Sequence, residues 1–277
     1  MITLSGVSKT YSKDASRPAL AEVSLTFSAG EMVAVLGPNG AGKSTLLGML
    51  SGILTPTAGL VDGSPVRSVV LQQTSLDKLL TVRENARIFA SVYGVSSEQL
   101  ALRIGEFADA LELADRLDDR VGTLSGGLAR RADLLRSLMV GPELLLLDEP
   151  TAGLDRDSAP EIIAQIRSLR DRHSIAVVMV THTLEEAEIA DRVLILHDGR
   201  VILDDSPTSL LEPMRDRLVL QTGAVLDAEE RLTTGRYMVP RERIEKLTRE
   251  LNEQDEPYGV RAVSIGDVYD RALGGVR

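Results

Sequence analysis

At 277 residues the chain has room for one main domain with a substantial core and a smaller accessory segment. Its 31 basic and 41 acidic residues give a net charge of −10, no window interleaves clustered Lys/Arg with aromatics, and cysteine is absent. This argues against a nucleic-acid partner, a disulfide framework and thiolate metal sites. The N-terminal Met1-Ile2-Thr3-Leu4-Ser5 lacks a charged stretch followed by a long apolar one, and no run approaches the ~18 apolar residues of a membrane-spanning helix. The expectation is a cytosolic chain, neither exported nor membrane-spanning. Its acidic surface would reach an anionic membrane only through a protein partner.

In chain order, the first informative element is the buried-strand run Met32-Val33-Ala34-Val35-Leu36. It leads into Gly37-Pro38-Asn39-Gly40-Ala41-Gly42-Lys43-Ser44-Thr45, and Leu46, Leu47 and Leu50 then recur at helical spacing. A G-x-x-x-x-G-K-[ST] loop between strand and helix is a phosphate cradle. Its glycines let backbone N–H groups approach phosphate oxygens, the helix start adds a favourable dipole, Lys43 reaches the terminal phosphates, and Ser44 offers a hydroxyl to Mg²⁺. Farther on, apolar residues at 104, 107, 108 and 111 read as helical. Leu124-Ser125-Gly126-Gly127 precedes apolar positions 128, 132, 135 and 139, which predict a helix starting just after the glycines. Ser125, Gly126 and Gly127 form either a second anion site or a simple serine cap.

The run Leu144-Leu145-Leu146-Leu147 ends in Asp148-Glu149-Pro150, and Ile175-Ala176-Val177-Val178-Met179-Val180 ends in Thr181-His182. Unbroken apolar runs suit parallel strands covered on both faces, in α/β sheets whose ligands bind beyond the carboxyl ends. Asp148 is then placed in the Mg²⁺ shell, and Glu149 is placed to accept a proton from an attacking water. A carboxylate pair here could also cap a helix, but the neighbouring phosphate loop favours the catalytic reading. His182, at a strand end, suits a donor to the terminal phosphate, whereas His173 and His197 sit in ordinary polar surroundings.

Taken together, Gly37 to Thr45, Gln72, Leu124 to Gly127, Leu144 to Glu149, Asp155 and His182 resemble the full motif set of an ABC-transporter ATPase subunit, over at least residues 1–212. The resemblance implies an α/β fold with a P-loop NTPase (RecA-like) core and an N-terminal antiparallel β subdomain. An α-helical subdomain would be inserted at about 73–124, and a small α+β appendage would follow at 213–277. It further implies that Tyr11 stacks on adenine, that Ala152-Gly153-Leu154-Asp155 communicates across a dimer, and that Gln72 (or Gln73, one residue on) senses Mg²⁺ and the membrane partner. In this family Leu-Ser-Gly-Gly of one subunit caps ATP on the phosphate loop of another. One motif set per chain therefore implies a homodimer, or a heterodimer with a second ABC ATPase subunit, around two ATP and Mg²⁺.

The function so implied is ATP hydrolysis powering a separate integral membrane permease at the inner face of the membrane. The Thr151–Asp155 and Ala190–Val193 stretches and the tail most resemble the ABC-2 or drug-resistance exporter branch. An importer ATPase and a soluble, non-transport ABC protein are the alternatives. In the tail, apolar runs near 217–220 and 237–239, a helix over 241–251 and a strand over 260–265 predict the appendage. Ser264-Ile265-Gly266-Asp267-Val268-Tyr269 resembles that branch's closing Leu-Glu-Asp-Val-Phe pattern, or is a generic stability or dimerisation element. Two departures stand out: Leu128 replaces the family's usual Gln, and the short segment from Gly59 to Gln72 predicts a trimmed hairpin.

Overall fold

The computed structural model describes residues 1–12, 17–63, 65–226, 230–233 and 235–274. The elements are β1 (Ile2–Lys9), β2 (Leu20–Phe27), β3 (Met32–Leu36), α1 (Lys43–Leu50), β4 (Ala58–Asp62), β5 (Arg67–Val70), α2 (Val82–Val92), α3 (Ser97–Ala110), α4 (Gly126–Leu138), β6 (Leu144–Asp148) and α5 (Ser158–His173). They continue with β7 (Ala176–Val180), α6 (Leu184–Glu188), β8 (Arg192–His197), β9 (Arg200–Asp205), α7 (Pro207–Leu211), β10 (Arg217–Thr222), β11 (Glu230–Thr233), β12 (Arg236–Pro240), α8 (Ile244–Glu253), β13 (Tyr258–Ala262) and α9 (Ile265–Gly274).

The central six-stranded sheet has the order β5-β6-β7-β3-β8-β9, parallel except for β9, which runs antiparallel to β8. Its apolar runs are unbroken because the pleat divides them between two covered faces. Leu145 and Leu147, with Val177, Met179, Ala34 and Leu36, join one core cluster. Leu144 and Leu146, with Ala176, Val178, Val33 and Val35, join the other. Each leucine of β6 is at most 1% exposed, which stabilises the fold by about 1.5–3 kcal/mol per side chain. Val180 pairs with both Asp148 and Val35, so β3, β6 and β7 end level and release their polar residues at one edge.

A second sheet, β2-β1-β4, is antiparallel and flanks the first. It corrects one expectation: among the described residues of 59–72 there is no hairpin, since β4 and β5 do not pair with each other. β4 pairs with β1, while β5 pairs in parallel with β6. β4 and β5 thus belong to different sheets, because each satisfies its backbone against a strand distant in sequence rather than against its neighbour.

The helical insertion begins at a capping box, in which Glu84 N–H donates to Thr81 Oγ1 (3.1 Å) and Thr81 N–H to Glu84 Oε2 (2.8 Å). Arg131 on α4, 7% exposed, ties it to the core by pairing with Glu112 and with Glu161 of α5 at 2.5 Å each. Helix α4 starts at Gly126 itself, with Ser125 as its cap, rather than after the glycines.

The tail forms a four-stranded antiparallel sheet, β11-β12-β10-β13. Leu247 and Leu251 of α8 pack on Leu220, Tyr237 and Val239. Two boundaries differ from expectation. Residues 241–243 make a 3₁₀ turn before α8, and the strand placed at 260–265 ends at Ala262, with Ile265 opening α9. The second difference has a local cause. Asp267 accepts bonds from Ser264 N–H (2.9 Å), Ser264 Oγ (2.8 Å) and the Arg261 guanidinium (2.6 and 2.7 Å), which turns the chain into a helix. Burial alone would push the Asp267 carboxyl up, yet these bonds hold it below the usual carboxylate range. Ile265 is fully buried in the same cluster as the central sheet, and a Cβ at Gly266 would stand 2.5 Å from Leu184 Cδ1 of α6. Among the described residues no helix is long and apolar enough to cross a membrane.

Candidate functional site

The level ends of β3, β6 and β7 open a cleft of about 370 Å³, lined by Ala19, Asn39, Gly40, Gly42, Lys43, Ser44, Thr45, Gln72, Asp148, Glu149, Val180 and His182. Gly40 and Gly42 take φ of 82° and 105°, left-handed values that glycine adopts without strain. A side chain at Gly42 would also strike Ala19 O, since its Cβ would lie 2.4 Å away. No side chain caps α1, so its first-turn N–H groups are left for a ligand. Pro38, Asn39 and Ala41 complete the loop, with Ala41 N–H donating to Pro38 O at 3.1 Å.

Lys43, 8% exposed, curls back over the loop, donating from Nζ to Gly37 O (2.7 Å) and Pro38 O (3.0 Å). Burial lowers its pKa, and the Glu149 and Asp148 charges offset part of that. A buried cation over uncapped N–H groups suits a polyphosphate, which would restore the missing counter-charge.

Across the cleft, burial and the adjacent Glu149 push the Asp148 carboxyl up, with Lys43, His182 and Arg130 opposing. Glu149 has φ 49°, unusual for a side chain without special local bonding, and its N–H donates to Val180 O at 2.8 Å. That conformation carries its carboxylate between two donors: His182 Nε2 is 2.8 Å from Oε1, and Gln72 Nε2 donates to Oε2 at 2.7 Å. Gln72 lines the cleft and Gln73 does not. The Ser44 hydroxyl, Asp148 carboxylate and Gln72 amide oxygen are hard donors on one cleft. They fit Mg²⁺, whose charge would offset the burial and the Glu149 charge that push the Asp148 carboxyl up.

Other expected site residues lie elsewhere. Among the described residues, those lining the cleft exclude Tyr11, Ser125, Gly126, Gly127 and Asp155. Tyr11 is 64% exposed beside the loop, its hydroxyl 3.2 Å from Thr45 Oγ1. Ser125 caps α4, accepting from Leu128 N–H at 3.3 Å, so the capping role is realised; Leu128 itself packs on the main core. Gly126 and Gly127 face the start of α5, where a Cβ on each would lie 3.7 Å from Leu154 Cδ2 and 3.0 Å from Ser158 Oγ. Asp155 caps that start, accepting from Ser158 N–H (2.8 Å), Ser158 Oγ (2.8 Å) and Asp157 N–H (3.1 Å), and these bonds hold its carboxyl low.

Sequence reasoning missed three contributors. Ala19 enters from the loop before β2, and no local signal marks it. Glu186, 4% exposed, accepts from Thr151 Oγ1, linking the segment after Glu149 to α6. Arg130, 5% exposed, grips the backbone at Gln72. The available signal was for its neighbour Arg131, three residues from Leu128 on the apolar stripe, where a charge implies a buried pair.

The family model described as ABC transporter matches residues 20–152. The Nod factor export ATP-binding protein I of Rhizobium meliloti is 38% identical over 224 residues, 76% of this chain and 66% of that protein. The protein of the same name from Rhizobium sp. (strain N33) is 38% identical, over 76% of this chain and 72% of its own length. The chain thus spans just under two thirds of the first of these relatives. Among solved structures, the dimeric post-hydrolysis state of the ATP-binding cassette MJ0796 bound to ADP and Pi is 30% identical. It has a TM-score of 0.65 and covers 74% of this chain and 98% of that one.

Proposed function

The chain belongs to the ABC transporter family, and from that premise we propose that it is an ATP-hydrolysing subunit powering a separate integral membrane permease in the export direction. One observation carries the reading: Glu149 is held by Gln72 and His182 at the lip of the phosphate cleft, where a water attacking the terminal phosphate would need a base. Residues 37–45 hold the phosphates and Tyr11 stacks on adenine. Ser44, Asp148 and Gln72 would hold Mg²⁺, whose charge would offset that of the phosphates there. His182 donates toward the transferring phosphate.

Ser125, Gly126 and Gly127 close on the ATP of a second copy or homologous subunit, with Asp155 beside that junction. Residues 1–212 serve as the ATPase domain, and 213–277 as an accessory region. The subunit works on the cytoplasmic side, docked to the permease through its helical insertion, where Leu79, Val92 and Leu102 are each at least 70% exposed. The relatives named for Nod factor export support the outward direction.

The shared site is tested by mixing subunits. A Lys43→Ala chain and a Ser125→Arg chain should each be inactive alone, yet their mixture should regain partial ATPase activity, because one composite site then carries neither change. Confirmed mixed dimers with no activity, and without ATP at one site per dimer, would refute sharing.

Tyr11→Ala should weaken nucleotide binding by about 1–3 kcal/mol, the scale of base–aromatic stacking, while Tyr11→Phe should cost little. Titration calorimetry decides: equal losses would assign the role to the hydroxyl against Thr45 rather than to the ring.

A further inference from the structure

Helix α4 lies along β5 and the chain beyond it. The strand ladder ends where Val70 pairs with Leu147, and the next carbonyls, Leu71 and Gln72, leave the sheet. Arg130 takes both: one guanidinium nitrogen donates to Leu71 O and the other to Gln72 O, each at 2.6 Å. Six residues along the same helix, Arg136 pairs with buried Asp133 and reaches Val69 O at 3.5 Å. Keeping a guanidinium 5% exposed is costly, and burial lowers the Arg130 pKa despite the opposing charges of Asp133 and Asp148. The guanidinium fork puts a separate nitrogen of one rigid plane on each carbonyl, which fixes their relative orientation as the single, freely rotating ammonium nitrogen of a lysine would not.

The residue whose carbonyl is held is the one whose side chain reaches the base. Gln72 Nε2 donates to Glu149 Oε2 at 2.7 Å, and Glu149 Oε1 lies 2.8 Å from His182 Nε2. A continuous chain of bonds therefore runs from α4, whose first residues are Gly126 and Gly127, through Arg130 and Gln72 to Glu149.

We propose that Arg130 is a positioning residue for hydrolysis, fixing the Gln72 backbone so that its side chain orients Glu149, and thereby tying the base to the helix that begins at Ser125. The inference rests on the reading of Glu149 as base. Without the fork, Gln72 would still fold into place but would sample poses that leave Glu149 free to rotate, so turnover falls while nucleotide binding does not.

The test is a double-mutant cycle on the purified full chain. Arg130→Lys should lower kcat about tenfold with the KM for ATP unchanged, the size expected for losing one charge-assisted contact that orients a catalytic group. In a Gln72→Ala background the same change should cost nothing more, because Arg130 acts through that side chain. Arg131→Lys, on the same helix but paired with Glu112 and Glu161, should lower Tm without lowering kcat. Should Arg130→Lys fail to fold, Arg130→Gln replaces it in the cycle.

Losses that multiply fully in the Gln72→Ala background would overturn the inference, as would a kcat loss matched by Arg131→Lys. Glu149→Gln is assayed alongside. If it retained wild-type turnover, the base reading would fall. A dead Glu149→Gln with a multiplicative cycle would sink only the role of Arg130.

Discussion

Glu149→Gln is expected to bind ATP as tightly as the parent chain while turning it over 10² to 10⁴ times more slowly, roughly the scale of losing a general base. The geometry makes the change more than a lost charge. Both carboxylate oxygens of Glu149 accept bonds, from His182 Nε2 and from Gln72 Nε2. A glutamine at 149 offers one acceptor oxygen and one NH₂, so one of the two neighbours must turn away or present an acceptor in place of its N–H. Uncleaved ATP should then hold paired subunits together. Size-exclusion chromatography with ATP would show an added dimer peak that the parent chain loses as it hydrolyses. Parent-like turnover in the variant would remove Glu149 from the chemistry.

Lys43→Ala should act one step earlier, on binding. The ammonium is buried, over N–H groups that no side chain caps, and two backbone carbonyls hold it in place. Losing charge-assisted contacts to phosphate should cost about 2–4 kcal/mol, a fall of roughly 30- to 1,000-fold in nucleotide affinity. Fluorescent-nucleotide titration reads this directly. Affinity within threefold of the parent would mean that the loop backbone alone carries the phosphates. Because Lys43 folds back onto Gly37 O and Pro38 O, the alanine variant also loses two bonds that brace the loop, so its Tm should be compared before affinity is interpreted.

Much of this cleft was legible from strand ends. A strand covered on both faces must be apolar throughout, so its first polar residue marks where the sheet stops; Asp148 and Thr181 are such marks, and the register places Asp148 opposite Val180, the residue just before Thr181. Gln72 was legible only through resemblance, since β5 is short and half of its residues are incompletely buried. The failures have different causes. The expected strand at 260–265 stops early for a local reason, because Asp267 gathers Ser264 and Arg261, three and six residues back, into a helix start. The expected hairpin at 59–72 follows local pattern, whereas β4 takes the free edge of β1, a partner distant in sequence. Arg130 was invisible for the same reason: its partners are carbonyls 58 and 59 residues away, which carry no side-chain signature.

The seating of Ile265 and Gly266 against α6 has a consequence for how the molecule is made. The core cluster that includes Ile162, Val193 and Ile195 is closed in part by Ile265, and Leu184 waits for Gly266 about 80 residues downstream. At roughly 5–20 residues per second, a ribosome leaves that apolar face uncovered for about 4–16 s. During this interval the nascent chain already has its phosphate loop and its catalytic strand ends, but α6, which directly follows His182, lacks its cover. For those seconds the nascent subunit would carry Leu184 and the neighbouring core face exposed until Ile265 and Gly266 cover them.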